Sequence, residues 1–258
     1  MFQGNEIANL KQKNMRNIRR DLQIIFQDPF ESLNSRHTVG DILEEPFIIH
    51  GIGTPEERKE EVQRLVSKVG MPESCLTLFP HEFSGGQRQR IGIARAIALK
   101  PRMIICDEPV SALDVSIQSQ ILNLLLDLQQ EMNLTYLFIA HDLAVVKHIS
   151  DNIAVMYLGK IVEYTDADTL YKSSVHPYTN ALISAIPVPD PAFKRKKQII
   201  MGDVPSPINP PSGCVFHTRC PFMIDYCRQE KPELRSAPGT EGDAHLVACH
   251  RAGELTFN

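Results

Sequence analysis

The sequence predicts an α/β fold: a parallel sheet covered by helices on both faces. Short, continuous apolar runs, Met103–Cys106 and Leu134–Ala140 among them, alternate with stretches of helical periodicity. Both runs end in polar residues, Asp107-Glu108 and His141, at the sheet edge where α/β folds bind ligands. Taken in order, residues 1–26 read as short strands ending in the apolar run Leu22–Phe26. Thr54-Pro55-Glu56-Glu57 is a helix start, with a Thr cap, Pro at the first helical position and Glu at the third. Val62, Leu65, Val66 and Val69 then give that helix one apolar face, which Gly70 and Pro72 end. Ser84 caps a second helix running through Ala98, and Pro101 stops it. After the Met103–Cys106 strand, Ile117, Ile121, Leu124, Leu125 and Leu128 mark one face of a third helix. Leu134–Ala140 reads as a buried strand. Asn152–Tyr164 reads as two strands around a Gly159-Lys160 turn.

With 43% hydrophobic residues the 258-residue chain can bury a core. A net charge of -4 offers no positive field for nucleic acid. No apolar run has the length of a membrane span, and the first residues lack the apolar core of a signal peptide. Seven of the 18 prolines fall between Pro187 and Gly213, which marks a linker or extended arm. The basic run Lys194-Arg195-Lys196-Lys197 within it reads as a solvated patch.

Five features bear on chemistry, and each alone has an ordinary reading. Of the two acids closing "MIICDE", one can hold Mg2+ through water and the next can polarise a water for attack on phosphorus; the same letters also suit a strand and a turn. "SGGQ" (Ser84, Gly85, Gly86, Gln87) opens a helix whose N–H groups and dipole suit a γ-phosphate, or is simply a loop. Gln27 at a strand end can touch the metal shell and the attacking water, or decorate the surface. "SALD" (Ser111 to Asp114) also suits a helix cap, and His141 also suits a structural histidine.

In this order, over roughly residues 2–165, the set resembles the ATP-binding-cassette (ABC) ATPase family. The resemblance implies an α/β P-loop NTPase fold with a helical subdomain over about 40–100, and ATP with Mg2+ as ligands. It makes Gln27 the Q-loop residue, Ser84–Gln87 the signature, Asp107 and Glu108 the Walker B pair, Ser111–Asp114 the D-loop and His141 the switch histidine. Phe83 stands where the family usually has Leu. "FQDPFESLNSRHTVGDILEEPFIIHG", "HPYTNALISAIPVPDP" and "GCVFHTRCPFMIDYC" are similar to the oligopeptide/dipeptide and nickel importer ATPases, nearest to the F-type subunit. This implies a domain over 1–186 and a C-terminal extension over 187–258. It also implies a second ATPase subunit as heterodimer partner, two permease subunits, an extracytoplasmic solute-binding protein and a peripheral place on the cytoplasmic face of the membrane. A soluble translation or repair protein of the same family would carry two cassettes or a coiled-coil insertion.

G-x-x-x-x-G-K-[ST], the phosphate loop, does not occur in these 258 residues. The resemblance therefore implies a domain lacking its first strands, with apolar edges left uncovered. It also implies that Ser84, Gly85 and Gly86 face a partner's ATP, so that at most one hydrolytic site forms per heterodimer; the competing expectation is a remnant without catalysis of its own.

The cysteines divide into two sets. Cys106, inside an apolar run, reads as a buried structural thiol, and Cys75 stands alone. Cys214, Cys220, Cys227 and Cys249 have spacings unlike common zinc patterns, yet four thiolates could still hold an iron–sulfur cluster, and His217, His245 and His250 are spare ligands if a different metal is used. Four reduced thiols in a packed tail is the other reading. Tails of this kind bind clusters in some members of the resembled subfamily, which implies a candidate [4Fe-4S] site.

Overall fold

A computed structural model of the chain describes residues 1–187 apart from Asn5, residues 200–240, and residues 242, 244–255 and 257. The basic run Lys194-Arg195-Lys196-Lys197 lies outside the described residues. The chain forms two compact units, Met1–His141 and Asp142–Asn258. The 186/187 boundary that the resemblance implies falls inside the second.

The first unit is built on a parallel sheet in the order β1-β2-β3, with β1 Leu22–Ile25, β2 Met103–Asp107 and β3 Thr135–Ile139. Its helices are α1 Gln12–Asp21, α2 Pro29–Ser32, α3 Val39–His50, α4 Pro55–Lys68, α5 Gly85–Ile97 and α6 Val115–Met132. The α4 start is as expected: the Thr54 hydroxyl accepts the Glu57 N–H at 3.3 Å and the Glu57 carboxylate accepts the Thr54 N–H at 2.7 Å. Val62, Leu65, Val66 and Val69 are buried. Leu43, Ile91, Ile93, Ile104, Ile121 and Leu125 are wholly enclosed, each contributing about 1.5–3 kcal/mol relative to exposure. Cys106 is buried with them, and burial pushes its thiol up to about 12, as suits a structural cysteine.

Two expectations are corrected here. Residues 12–21 are helical where strands were expected: Met15 and Ile18, three apart, form the half-buried face, and Arg19 and Arg20 suit the negative end of the helix dipole. The β3 strand is not buried throughout. It is an edge strand whose outward side chains Leu137 and Ile139 are 48% and 45% exposed.

The second unit holds α7 Leu143–Ile149, β4 Asn152–Tyr157, β5 Lys160–Asp166, α8 Ala167–Ser173, α9 Pro177–Ser184, α10 Tyr226–Gln229, β6 Arg235–Ser236 and β7 His245–Val247. Its strands form an antiparallel sheet in the order β4-β5-β7-β6. The hairpin turn sits one residue earlier than expected, at Leu158-Gly159, both left-handed (φ 45° and 72°), the geometry of a tight two-residue turn. Residues 200–213 carry neither helix nor strand. Among the described residues no helix is long and apolar enough to cross a membrane.

Candidate functional site

The end of β2 sets the first site. The Glu108 N–H donates to the Ile139 carbonyl at 3.0 Å, which extends the β2–β3 ladder by one bond. Glu108 itself is left-handed (φ 44°), a conformation costing a non-glycine residue about 1–3 kcal/mol. Ser111 holds the strained peptide: its N–H and its hydroxyl both donate to the Glu108 carbonyl, at 3.2 and 3.1 Å. The turn aims the Glu108 carboxylate at two groups from other strand ends. Gln27 Nε2 donates to Oε2 at 3.0 Å, and His141 Nδ1 lies 3.1 Å from the same oxygen. A carboxylate only accepts, so His141 carries its proton on Nδ1 when neutral. Three of the sequence candidates, 81 residues apart at the widest hydrogen bond, thus converge on one oxygen. Asp107 remains the last residue of β2, half-buried beside them.

The signature turn forms separately. The Ser84 hydroxyl accepts the Gln87 N–H at 3.4 Å, and the Gln87 amide oxygen accepts the Ser84 N–H at 3.0 Å. The first-turn N–H groups of α5 have no partner within the helix, so an exposed acceptor can meet them there. Phe83, just before the cap, is buried, as an apolar replacement for Leu should be. Gly86 has no room for a side chain: a Cβ there would lie 2.6 Å from Ile117 Cγ2 of α6. Gly85 is less confined, since a Cβ there would meet only Leu113 Cδ2, at 3.4 Å. Asp114 occupies the cap position of α6, yet its carboxylate makes no capping bond.

Two arginines that sequence reasoning passed over tie α5 to the segment after Gln27. Arg95 donates to the Ser32 carbonyl at 2.7 Å, and the Arg88 guanidinium lies 4.9 Å from the centre of the Phe30 ring. Among the described residues, no hydrogen bond joins the Ser84–Gln87 turn to the Glu108 group.

The second unit brings Cys214, Cys220, Cys227 and Cys249 around one cavity of about 20 Å³, space for roughly one water. All four thiols are free. Burial raises Cys214 and pushes Cys220 and Cys249 up to about 11. The loop closes because the Cys214 N–H donates to the Cys227 carbonyl at 2.8 Å. That approach requires Gly213: it is left-handed (φ 65°), and a Cβ would lie 2.4 Å from the Cys227 carbonyl oxygen. Among the described residues no three His, Cys, Asp or Glu side chains form a ready ligand set for a single metal ion.

A buried network lies under this cavity. Glu163 on β5 is fully enclosed; its carboxylate accepts the N–H groups of Val175 at 2.6 Å and His176 at 3.0 Å, and pairs with His245 Nε2 at 2.8 Å. His245 is therefore committed to Glu163, which corrects its reading as a spare ligand. His176 caps α9, its Nδ1 accepting the Tyr178 N–H at 3.0 Å, and burial depresses its pKa to about 4. Nothing in the spacing of Glu163 and His176 singles them out; only the fold makes them neighbours.

Comparison with known proteins fits this geometry. The profile of the family described as "ABC transporter" matches residues 1–111, and that of "Oligopeptide/dipeptide transporter, C-terminal region" matches residues 162–227. The oligopeptide transport ATP-binding protein AppF of Bacillus subtilis is 53% identical over 253 residues, covering 97% of this chain and 76% of AppF. A putative peptide import ATP-binding protein of Brucella ovis is 55% identical over 252 residues, covering 97% and 78%. OppF of Salmonella typhimurium is 52% identical over 256 residues, covering 98% and 75%. Among solved structures, the ATP-binding cassette MJ0796, a dimer in a post-hydrolysis state with ADP and Pi, superposes with a TM-score of 0.55 at 29% identity over 62% of this chain and 68% of that one. CbiO1 of Clostridium perfringens, part of the transporter complex cbiONQ, gives 0.58 at 28% identity over 67% and 68%.

Proposed function

The chain belongs to the ABC transporter ATPases that carry an oligopeptide/dipeptide-type C-terminal region, and from that premise we infer an ATP-hydrolysing subunit of an importer for oligopeptides or dipeptides. The convergence of Gln27 and His141 on one oxygen of Glu108 is the observation that carries the catalytic half of this reading. Where a phosphate loop, which does not occur in these 258 residues, supplies the nucleotide, Glu108 would polarise the attacking water, and its exposed partners Gln27 and His141 can yield to that water. Asp107, at the strand end beside it, would hold Mg2+, which would neutralise charge on the phosphates. Ser84, Gly85, Gly86 and Gln87 present an open helix terminus to the γ-phosphate of ATP bound by the partner subunit. Ser111 and Asp114 border the same subunit junction, and Ser111 also fixes the strained peptide of Glu108.

The partners on this reading are a second ABC ATPase subunit, two membrane permease subunits and, indirectly, an extracytoplasmic solute-binding protein. The chain then sits peripherally on the cytoplasmic face of the membrane. Residues 1–186 serve as the ATPase domain and 187–258 as the importer-type extension. The test is peptide-stimulated ATP hydrolysis in proteoliposomes assembled with and without this chain. Stimulation that needs the chain is expected; equal stimulation in its absence overturns the reading.

We propose the four free cysteines around one cavity as candidate ligands of an iron–sulfur cluster, with four reduced thiols in a packed tail as the other reading. A tetrahedral zinc with Zn–S bonds of about 2.3 Å gathers its sulfurs to within about 4 Å of one another. A [4Fe-4S] cluster takes one thiolate per iron and sets them wider, so the cavity of about 20 Å³ would have to open to receive it. Burial pushes Cys220 and Cys249 up to about 11, so these thiols keep their protons, and binding of a metal group would have to release them. Iron, sulfide and visible absorbance of anaerobically purified protein test it: their absence after reconstitution leaves four reduced thiols.

A further inference from the structure

A helix of four residues does not hold itself, so the place of α2, Pro29–Ser32, is set by what it touches. It begins two residues after Gln27, and its position therefore decides where the Gln27 backbone lies. Three interactions fix it. The Asp28 carboxylate caps it, accepting the N–H groups of Phe30 at 2.7 Å and Glu31 at 3.4 Å. The other two come from α5: the Arg88 guanidinium over the Phe30 ring, and Arg95 Nη1, which donates to the Ser32 carbonyl at 2.7 Å. Arg88 and Arg95 are about two helical turns apart, so one face of α5 addresses α2 at two points. Arg88 has a second task, since its Nε donates to the Pro80 carbonyl at 2.8 Å. Arg95 has none: among the described residues it makes no other hydrogen bond and no salt bridge. It is half-buried, and burial holds its pKa below the ordinary arginine value, a cost that a solvent-facing arginine would not carry.

We propose that Arg95 is a positioning residue for hydrolysis: by holding the end of α2 it keeps the Gln27 amide within reach of Glu108. The inference rests on the catalytic reading of Glu108 and Gln27 and deepens it. Gln27 is exposed, and one neutral hydrogen bond of 3.0 Å to Glu108 gains too little to fix the backbone that carries it. The geometry has to be supplied from behind, and α2 is the element between the Gln27 backbone and α5 that can supply it. Arginine suits the task because its planar fork is pre-organised and keeps its charge when half-buried.

Two measurements separate position from stability. In the assembled transporter, Arg95→Met, Gln27→Ala and the double variant are compared over a range of ATP concentrations, with thermal midpoints recorded. Arg95→Met should lower kcat by about 10- to 10²-fold with the KM for ATP within about twofold of the parent. The double variant should be no slower than Gln27→Ala, because the arginine acts through the glutamine. Arg95→Lys, which keeps the charge and a donor, should recover most of the rate. In the full chain without partners or nucleotide, NMR reads the Gln27 side-chain amide directly. In Arg95→Met that resonance should move to the position it takes in Glu108→Ala. Arg95→Gln, too short for the Ser32 carbonyl yet polar, replaces Arg95→Met in both measurements if the latter does not fold. Rate losses that multiply in the double variant, or a Gln27 amide that stays at its parental position, overturn the proposal and leave the reading of Glu108 standing. A Gln27→Ala transporter that hydrolyses ATP at the parental rate overturns the catalytic reading of Gln27 and this proposal together.

Discussion

Two glutamate–histidine pairs dominate the chemistry of this chain, and they are built oppositely. Glu108 meets His141 at 3.1 Å with side chains 24% and 70% exposed, whereas Glu163 meets His245 at 2.8 Å with 0% and 4% exposed. An exposed pair contributes at most about 1 kcal/mol and can be broken and remade cheaply. A buried one cannot be opened without stranding a charge, at about 3–5 kcal/mol. The first arrangement suits groups that must exchange partners with a nucleotide and a water. The second suits a fixed frame, here one that joins the α9 start to β5 and β7. Backbone conformation differs too: Glu108 is left-handed (φ 44°), whereas Glu163 lies within β5, beside the register shift of the β4–β5 ladder.

The comparison breaks most readily at Glu108. In the assembled transporter, Glu108→Gln should lower hydrolysis at the site it serves by about 10²- to 10⁴-fold, while the denaturation midpoint moves by no more than about 0.5 kcal/mol. A variant that unfolds instead would make this pair structural. Glu163→Ala should do the opposite, costing the second unit about 3–5 kcal/mol, read by hydrogen exchange of β4, β5 and β7. Parental protection there would show that the buried pair holds nothing.

Acid gives a smaller and graded effect. Burial depresses His176 to about 4, below its ordinary value, so the unfolded chain binds the more protons between those two values. The contribution is complete above the unfolded value of about 6.5 and is lost as pH falls toward the folded one. Protection of the second unit should therefore fall by about 2 kcal/mol between pH 7 and pH 5, and His176→Asn should flatten that slope. An equal slope in the variant assigns the acid sensitivity elsewhere.

What could be read in advance follows the range of the interactions. Local chemistry was legible: the Thr54 and Ser84 caps, the Met103–Cys106 strand and the α4 face depend on residues three or four apart. The order of Gln27, Ser84–Gln87, Asp107-Glu108 and His141 gave the family, and the fold brings three of these side chains to one carboxylate oxygen. Residues 12–21 misled because a short amphipathic stretch with two apolar side chains carries little periodicity. The Leu134–Ala140 run looked buried because apolar composition does not tell a central strand from an edge. Glu163 was invisible for a different reason. Its histidine partner is 82 residues away, and on the sequence it is one more acid in a strand.

The central claim is that the Ser84–Gln87 turn serves ATP on a partner subunit, and Gly85→Asp tests it most directly. A Cβ fits at Gly85, and an acid in the first turn favours the α5 helix, so the fold should melt at or above the parental midpoint. The same carboxylate would repel a γ-phosphate brought to that helix end. Peptide-stimulated hydrolysis by the assembled transporter should fall by about 10²-fold or more with the fold intact; hydrolysis at the parental rate would contradict the account.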